Sequence, residues 1–185
     1  AMLIAYGCAF DLEFSQPTPA VCLIDVHSSH AGSLVPASLT FETDPPLATT
    51  TFLDDFGNLS RRFTAPAGSM RLRLSGLYRA DGSLDRRDAN ARVLPVERLP
   101  VECLPYLSPS RFCESDLMMD AAWQQFGTLP RTTALVEAIC AYTHQRLRFD
   151  YTQARATRTA AQAHAEQVGV CRDFAHLALT LCRCL

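Results

Sequence analysis

The spacing of apolar residues changes from a period of two to a helical period along this 185-residue chain, and this change constrains the fold more than any other feature. In the first hundred residues short segments alternate, most cleanly over residues 70–74, which is typical of strands with one buried face. Turn signals such as Pro45-Pro46 and Gly82 separate these segments. Short strands with frequent turns favour an antiparallel sandwich over a doubly wound sheet.

Individual strands follow from the same pattern. We predict strands over residues 20–26, 38–42 and 70–74. We also predict a hairpin whose strands, 49–53 and 59–63, are joined through residues 54–58, because glycine and asparagine in that turn tolerate a positive φ.

After a linker punctuated by four prolines, the pattern becomes helical. Ser115 is predicted to cap a helix that Gly127 ends, with Met119, Ala122, Trp123 and Phe126 on its core face. Further helices are predicted over residues 133–147, from Thr159 and over 171–185. Two of these have marked apolar faces: Leu135, Ala138, Ile139 and Tyr142; Phe174, Leu177, Ala178 and Leu181.

Composition excludes several classes of protein. A hydrophobic fraction of 48% with 19% charged residues excludes a disordered chain, and no apolar run is long enough to span a membrane. A net charge of −2 gives no reason to expect nucleic acid or an anionic membrane as a partner. All 17 basic residues are arginine, so lysine Schiff-base and Walker-type chemistry are excluded within this sequence.

The eight cysteines indicate a reducing compartment. The sequence starts without a basic segment followed by a long apolar segment, so we expect no secretory signal, a cytoplasmic location and mostly structural free thiols. Cys171, His176, Cys182 and Cys184 cluster near the end, but they lack the spacing of a zinc site. We therefore predict no metal and no cofactor.

Cys171 differs from the other cysteines because it begins a predicted helix two residues after Gly169. Free backbone N–H groups and the positive end of the helix dipole stabilise a thiolate at such a position. The thiolate is the nucleophilic form, and the N–H of the same residue can contribute to an oxyanion hole. Arg172 adds positive potential and Asp173 opposes it. Spacing alone leaves a catalytic and a structural interpretation open.

The start of this helix carries a specific resemblance. The string that resembles the active-site helix of the bacterial transglutaminase-like, or cysteine-protease-like, superfamily is Gly169-Val170-Cys171-Arg172-Asp173-Phe174-Ala175-His176. The upstream helix and residues 149–160 are arranged as in that family, and residues 55–58 and 106–113 resemble the β-rich region that precedes the core in bacterial members. The resemblance covers nearly the whole chain.

This resemblance implies a Cys–His–Asp triad with Cys171 as the nucleophile. In the family the histidine and the aspartate follow the cysteine on strands of a sheet packed against its helix. The sequence ends at Leu185, fourteen residues after Cys171. We therefore expect a truncated catalytic domain, inactive by itself, in which no triad histidine or aspartate can be assigned.

Residues near Cys171 offer poor replacements for the triad histidine and aspartate. His176 lies five positions later, about 140° around the helix, so we expect a buried, hydrogen-bonded structural role for it. His164 could serve only if the chain folds back towards Cys171, and Gln167 is a minor oxyanion-hole candidate. Asp173 fits a first-turn residue that favours the helix dipole better than a triad acid. Structural or solvated roles are expected for the remaining histidines: His27, His30 and His144.

The sequence therefore predicts an α+β protein, an N-terminal antiparallel β-sandwich followed by the helical first part of a papain-like transglutaminase core. The predicted domains are a β-rich domain over 1–104, a linker with the first helix over 105–131, and the helical part of the core over 132–185.

By resemblance, the predicted function is that of a transglutaminase-like cysteine protease acting on peptide or isopeptide amides, with a peptide or protein as substrate. The alternative is a non-catalytic module whose β-sandwich binds a protein partner. Truncation is expected to expose Phe174, Leu177 and Leu181, and we expect homo-oligomers through this last helix.

Overall fold

The chain folds into two compact units that divide between Asp85 and Arg86. The structure is a computed structural model that describes residues 2–185. Within these residues the first unit is built from strands, and the second from helices and short turns. The predicted α+β class is confirmed. The predicted domain limits at residues 104 and 131 differ from this division into two units and stay a prediction.

Two antiparallel three-stranded sheets form the first unit, in the orders β1-β6-β3 and β2-β5-β4. The strands are β1 (Met2–Phe14), β2 (Thr18–Cys22), β3 (Thr40–Asp44), β4 (Thr50–Leu53), β5 (Leu59–Ala65) and β6 (Gly68–Ala80). Phe63 and Ala65 of one sheet share a buried cluster with Met70 and Leu72 of the other, so the two sheets pack as a sandwich.

Strand β6 shows why the alternating pattern was informative. Met70, Leu72 and Leu74 are buried, whereas Arg71 and Arg73 between them are exposed. The predicted hairpin is also present. Strands β4 and β5 are joined by a turn in which Gly57 has a φ of 80°, and the Asp54 N–H donates to the Asn58 carbonyl at 3.0 Å.

Strand β1 was not predicted, although it has thirteen residues. Most of its residues are exposed, and it pairs along its whole length with β6. Its extended form therefore depends on hydrogen bonds to a partner strand. Because neither face of the strand is deeply buried, its sequence shows no clean alternation of apolar and polar residues. The strand predicted over 20–26 lies instead at Thr18–Cys22.

Four helices form the core of the second unit. After 3-10 turns at Val96–Arg98 and Val101–Leu107 come α1 (Ser115–Phe126), α2 (Thr133–Arg146), α3 (Ala160–Glu166) and α4 (Cys171–Cys184). The two-residue strands β7 (Arg148–Phe149) and β8 (Val168–Gly169) pair in parallel. Strand β8 directly precedes Val170 and helix α4, so it sets where that helix begins.

The predicted core face of α1 was partly wrong. Ala122 and Phe126 are buried as expected, but Met118 replaces Met119 in the core, and Trp123 is 48% exposed. Trp123 instead donates its indole N–H to the Cys184 carbonyl at 2.9 Å. An apolar residue with a polar handle can lie at the edge of a core in this way.

The prediction that α4 exposes Leu177 and Leu181 was wrong. Leu177 and Leu181 are 0% and 1% exposed, because both lie in the cluster formed with α1, α2 and α3. Phe174 packs partly against that cluster. The exposed apolar side chain of α4 is Leu179, at 51%. The reason given for self-association is thereby lost, and homo-oligomers stay a prediction. Within residues 2–185, no helix is long and apolar enough to cross a membrane.

Candidate active site

Cys171 is the first residue of the fourteen-residue helix α4. Val170 caps the helix in an extended conformation, with φ −110° and ψ 176°, and its carbonyl accepts the Asp173 N–H at 2.8 Å. Cys171 is exposed and is not in a disulfide. The first N–H groups of a helix have no partner within it, so the thiol lies where such groups and the helix dipole favour negative charge.

Asp173 fixes the start of this helix from inside the protein. It is 1% exposed, and its Oδ2 accepts the Val170 N–H at 2.9 Å. Gly169 makes this possible, because a Cβ at that position would lie 2.6 Å from Asp173 Cβ and 2.8 Å from Oδ2. The glycine of the Gly-Val-Cys-Arg-Asp sequence is therefore needed for the close approach of the aspartate.

Arg158 pairs with Asp173 although fifteen positions separate them. Only 2% of its side chain is exposed; Nη1 donates to Asp173 Oδ2 at 3.2 Å and Nε donates to Glu166 Oε2 at 2.9 Å. Burial acts to lower the pKa of Arg158, but hydrogen bonds to the two carboxylates outweigh it and raise the pKa above its usual range. We call Arg158, Glu166 and Asp173 the clasp.

Glu166 ends helix α3 and connects the clasp to the surface. It also accepts a hydrogen bond from Arg155 Nη2 at 2.7 Å. Hydrogen bonds from Arg155 and Arg158 lower the pKa of Glu166 below its usual value, so its ionised form is favoured. The predicted helix start at Thr159 is confirmed: α3 begins there with a capping box formed by Thr159 and Gln162.

Arg172, directly after Cys171, holds the segment that precedes α3. Its guanidinium donates to the carbonyls of Arg155 at 2.7 Å and Ala156 at 2.8 Å. It also lies over the Phe112 ring at 5.2 Å. Its fork of donors is therefore used by backbone carbonyls, which a lysine could not match with the same geometry.

His176 lies against Phe112, with stacked rings at 5.4 Å and an interplanar angle of 9°. Its carbonyl accepts the Thr180 hydroxyl at 2.7 Å, whereas its buried Nδ1 has no hydrogen-bond partner. The expected hydrogen bonding thus involves the backbone and not this ring nitrogen. Burial, reinforced by the positive charge of Arg172, lowers the pKa of His176 below its usual value.

The other candidate site residues, His164 and Gln167, make no hydrogen bond to Cys171. His164 Nε2 lies 2.8 Å from the Tyr142 hydroxyl, and burial lowers its pKa. Gln167 adopts a left-handed conformation with φ 57° at the end of α3, and its side chain is exposed. Over residues 2–185, no histidine forms a hydrogen bond with the Cys171 thiol. The same residues contain no group of three or more His, Cys, Asp or Glu side chains able to hold a metal ion.

A family model matches the part of the chain that contains Cys171. Residues 121–185, which include Cys171 and the clasp, match the family model described as the transglutaminase-like superfamily. This segment is similar to the transglutaminase-like superfamily. The matched residues run from within α1 to the end of α4, so the superfamily core coincides with the helical cluster. No curated protein matches the chain.

A solved structure has the same fold as this chain. The crystal structure of a candidate cysteine protease from Cytophaga hutchinsonii aligns with a TM-score of 0.81 at 22% identity. The alignment covers 100% of this chain and 66% of that chain. The two proteins therefore share a fold across both units, and this chain spans 66% of the length of its structural relative.

Sequence reasoning missed Arg158, Glu166 and Arg155 in this transglutaminase-like segment. Asp173 was assigned to the first turn, and it lies three positions after Val170, which is the spacing of a reciprocal cap. No local pattern shows that Arg158 reaches across fifteen positions to a buried carboxylate. The single available signal was an arginine directly before a predicted helix cap.

Proposed function

We propose that the protein performs thiol-mediated acyl chemistry on peptide or isopeptide amides, with Cys171 as the nucleophile. The observation that carries this proposal is an exposed thiol at the first position of a fourteen-residue helix inside a transglutaminase-like segment. The helix dipole favours the thiolate, and the Cys171 N–H can stabilise an oxyanion at the same place.

The reaction would proceed in two halves. The Cys171 thiolate attacks the amide carbon and forms a thioester, and the amine leaves after it takes up a proton. Water then attacks the thioester, releasing the carboxylate and the thiol. We favour hydrolysis over transfer to a second amine, since the structural relative is described as a candidate cysteine protease.

Both halves need a general base and acid, which the family resemblance assigns to a histidine oriented by an aspartate. No histidine in residues 2–185 is hydrogen-bonded to Cys171. We therefore propose that residues 1–185 alone present an activated thiol without turning over an amide. A cytoplasmic location forms part of the proposal, supported by free cysteines at all eight positions within the described residues.

Selective alkylation tests the activated thiol. The protein is treated with substoichiometric iodoacetamide near neutral pH, and modified peptides are quantified by mass spectrometry. Cys140, also exposed and located within α2, is the matched control thiol. We expect Cys171 to react about tenfold faster than Cys140, because the helix start favours the reactive thiolate form. Equal rates at both thiols would contradict the proposal.

Turnover is tested with fluorogenic peptide amides and with Cys171→Ala as the control. We expect no amidase rate above that of the variant. A measurable rate that Cys171→Ala abolishes would support thiol chemistry but contradict the proposed inactivity of residues 1–185. Equal alkylation of Cys140 and Cys171, with no turnover, would favour the alternative of a non-catalytic binding module.

A further inference from the structure

The charge of Asp173 raises a problem for the proposed nucleophile. Its carboxylate lies two positions after Cys171 in the first turn of α4. The positive end of a helix is equivalent to roughly half an elementary charge, whereas an ionised carboxylate carries a full negative charge. Left uncompensated, Asp173 would therefore reverse the sign of the potential that favours a thiolate at Cys171.

Two arginines lie near this carboxylate, and they differ in burial and in whether they donate a hydrogen bond to it. Arg158 is 2% exposed and donates to Asp173 Oδ2 at 3.2 Å. Arg172 lies 3.5 Å from Oδ1, but it is 35% exposed and donates to the Arg155 and Ala156 carbonyls. Asp173 Oδ1 has no hydrogen-bond partner. Arg158 is thus the buried, hydrogen-bonded counter-charge.

Other charged groups near this turn do not replace Arg158. Glu166 shares the Arg158 guanidinium, and Arg155 in turn bonds to Glu166 at 2.7 Å. Burial and the charge of Arg172 lower the pKa of His176, one turn further along α4, so its neutral form is favoured. Removing Arg158 would leave the Asp173 carboxylate with Arg172, which is 35% exposed, and the Glu166 carboxylate with Arg155, which is 44% exposed.

We propose that Arg158 is a positioning residue for Cys171, because it holds Asp173 under the first turn of α4 and neutralises its charge. The inference rests on the proposed function of Cys171. A buried ion pair adds little net stability compared with apolar residues of similar volume, so the placement of this pair is better explained by geometry and potential at the thiol than by stability.

A charge-cancelling pair of variants tests the proposal. The rate of Cys171 alkylation by iodoacetamide is measured against pH in the full chain, in Arg158→Met, in Asp173→Asn and in the double variant. Asparagine keeps an oxygen that can accept the Val170 N–H, so the cap is preserved without the charge. Cys140 in the same molecules is the reference thiol.

We expect Arg158→Met to raise the pH midpoint of Cys171 alkylation by about one unit, which is about a tenfold slower rate below the midpoint. In the double variant the midpoint returns to within about 0.3 unit of the parent, since both charges are gone. A purely structural role would make the double variant at least as impaired as Arg158→Met. Either that result or an unshifted midpoint in Arg158→Met would overturn the proposal.

Folding is monitored in the same experiment. Cys113 and Cys184 are 5% and 4% exposed, so their alkylation reports opening of the core. If Arg158→Met opens the core, Asp173→Asn decides: the proposal requires a lower midpoint than in the parent, because the positive charge of Arg158 is then less compensated. An unchanged midpoint in that folded variant would overturn it.

Failure of this inference differs from failure of the proposed function. If Cys171 and Cys140 react alike in the parent chain, the nucleophile itself is wrong. If Cys171 is selectively reactive in the parent and equally so in folded Arg158→Met, only the role of Arg158 is wrong.

Discussion

The two ends of helix α4 are held by different interactions. At its start, Asp173 is 1% exposed and bonds to a buried guanidinium and to the Val170 N–H. From its middle onward, Leu177 and Leu181 are 0% and 1% exposed among side chains of α1, α2 and α3. One helix therefore begins with buried charge and continues with buried hydrocarbon.

We interpret this difference as a division of roles: the charged contacts position the start of α4, and the apolar contacts stabilise the fold. Charge-assisted hydrogen bonds are directional and select one geometry, whereas burial of apolar area supplies most of the folding free energy without direction. The cysteines follow the same division. Cys171 is exposed at the charged end, while burial, with a smaller contribution from Asp116, raises the pKa of Cys184 at the apolar end.

The largest expected effect is at the apolar end. Leu177→Ala should lower the free energy of unfolding by about 3–4 kcal/mol, because a fully buried side chain is lost and its space is only partly refilled. Urea unfolding followed by the fluorescence of Trp123, the single tryptophan, measures it within the helical unit. Leu179→Ala, at a 51% exposed position of the same helix, should change it by less than about 0.5 kcal/mol. Similar losses in both variants would contradict the assigned core face.

A smaller loss of stability but a larger effect on the thiol is expected at the charged end. Gly169→Ala places a Cβ 2.6 Å from Asp173 Cβ, so the clasp must shift, at a cost of about 1–3 kcal/mol. The selective alkylation of Cys171 over Cys140 should also be lost, whereas folded Leu177→Ala should retain it.

Gly32→Ala is the control for this glycine, because a Cβ there meets nothing within 4 Å. We expect it to leave both stability and alkylation unchanged. Full selectivity in Gly169→Ala would show that the close approach of Asp173 is not needed at Cys171.

A pH dependence also distinguishes the charged end. Burial and Arg172 lower the pKa of His176 below the ordinary value of 6.5, so the folded state favours the neutral ring. The stability from this group is complete above pH 6.5 and is lost as the pH falls through the lowered pKa. His176→Phe keeps an aromatic ring against Phe112 and removes the titration. Urea unfolding at about pH 7.5 and about pH 5.5 should show a smaller loss in the variant than in the parent; equal losses would exclude His176 as a source.

The smallest expected effect concerns the outer face of α4. We propose that the protein self-associates weakly through α4, and that the contact uses the exposed Leu179 and not the buried Leu177 and Leu181. Sedimentation at increasing concentration should show a dimer in the parent and a monomer in Leu179→Glu. A monomer throughout in the parent would contradict the predicted homo-oligomer.

Periodic elements of the fold could be predicted from the sequence, and partner-dependent ones could not. The β4–β5 hairpin, the helix start at Thr159 and the start of α4 each follow from a local pattern that the structure confirms. Strand β1 escaped prediction because its conformation depends on β6. In α1, the same 3.6-residue period fits two adjacent faces, and the choice between Met118 and Met119 is made by packing.

The site shows the same limit. Cys171 could be singled out because a helix start and a specific string coincide there. The clasp could not, since the pairing of Arg158 with Asp173 is a tertiary contact between side chains that have no common periodicity. The string contains Gly169, but only the structure shows that Asp173 approaches this glycine closely.

Formation of the clasp has a consequence for the order of folding. The contact between Arg158 and Asp173 closes a loop of fifteen positions that contains all of α3, so the geometry at the start of α4 is completed only when this loop has closed. A peptide of residues 169–185 would contain Cys171 without its buried counter-charge. A newly synthesised chain would thus carry Cys171 as an ordinary thiol until the loop closes, and its reactivity would arise together with the native fold.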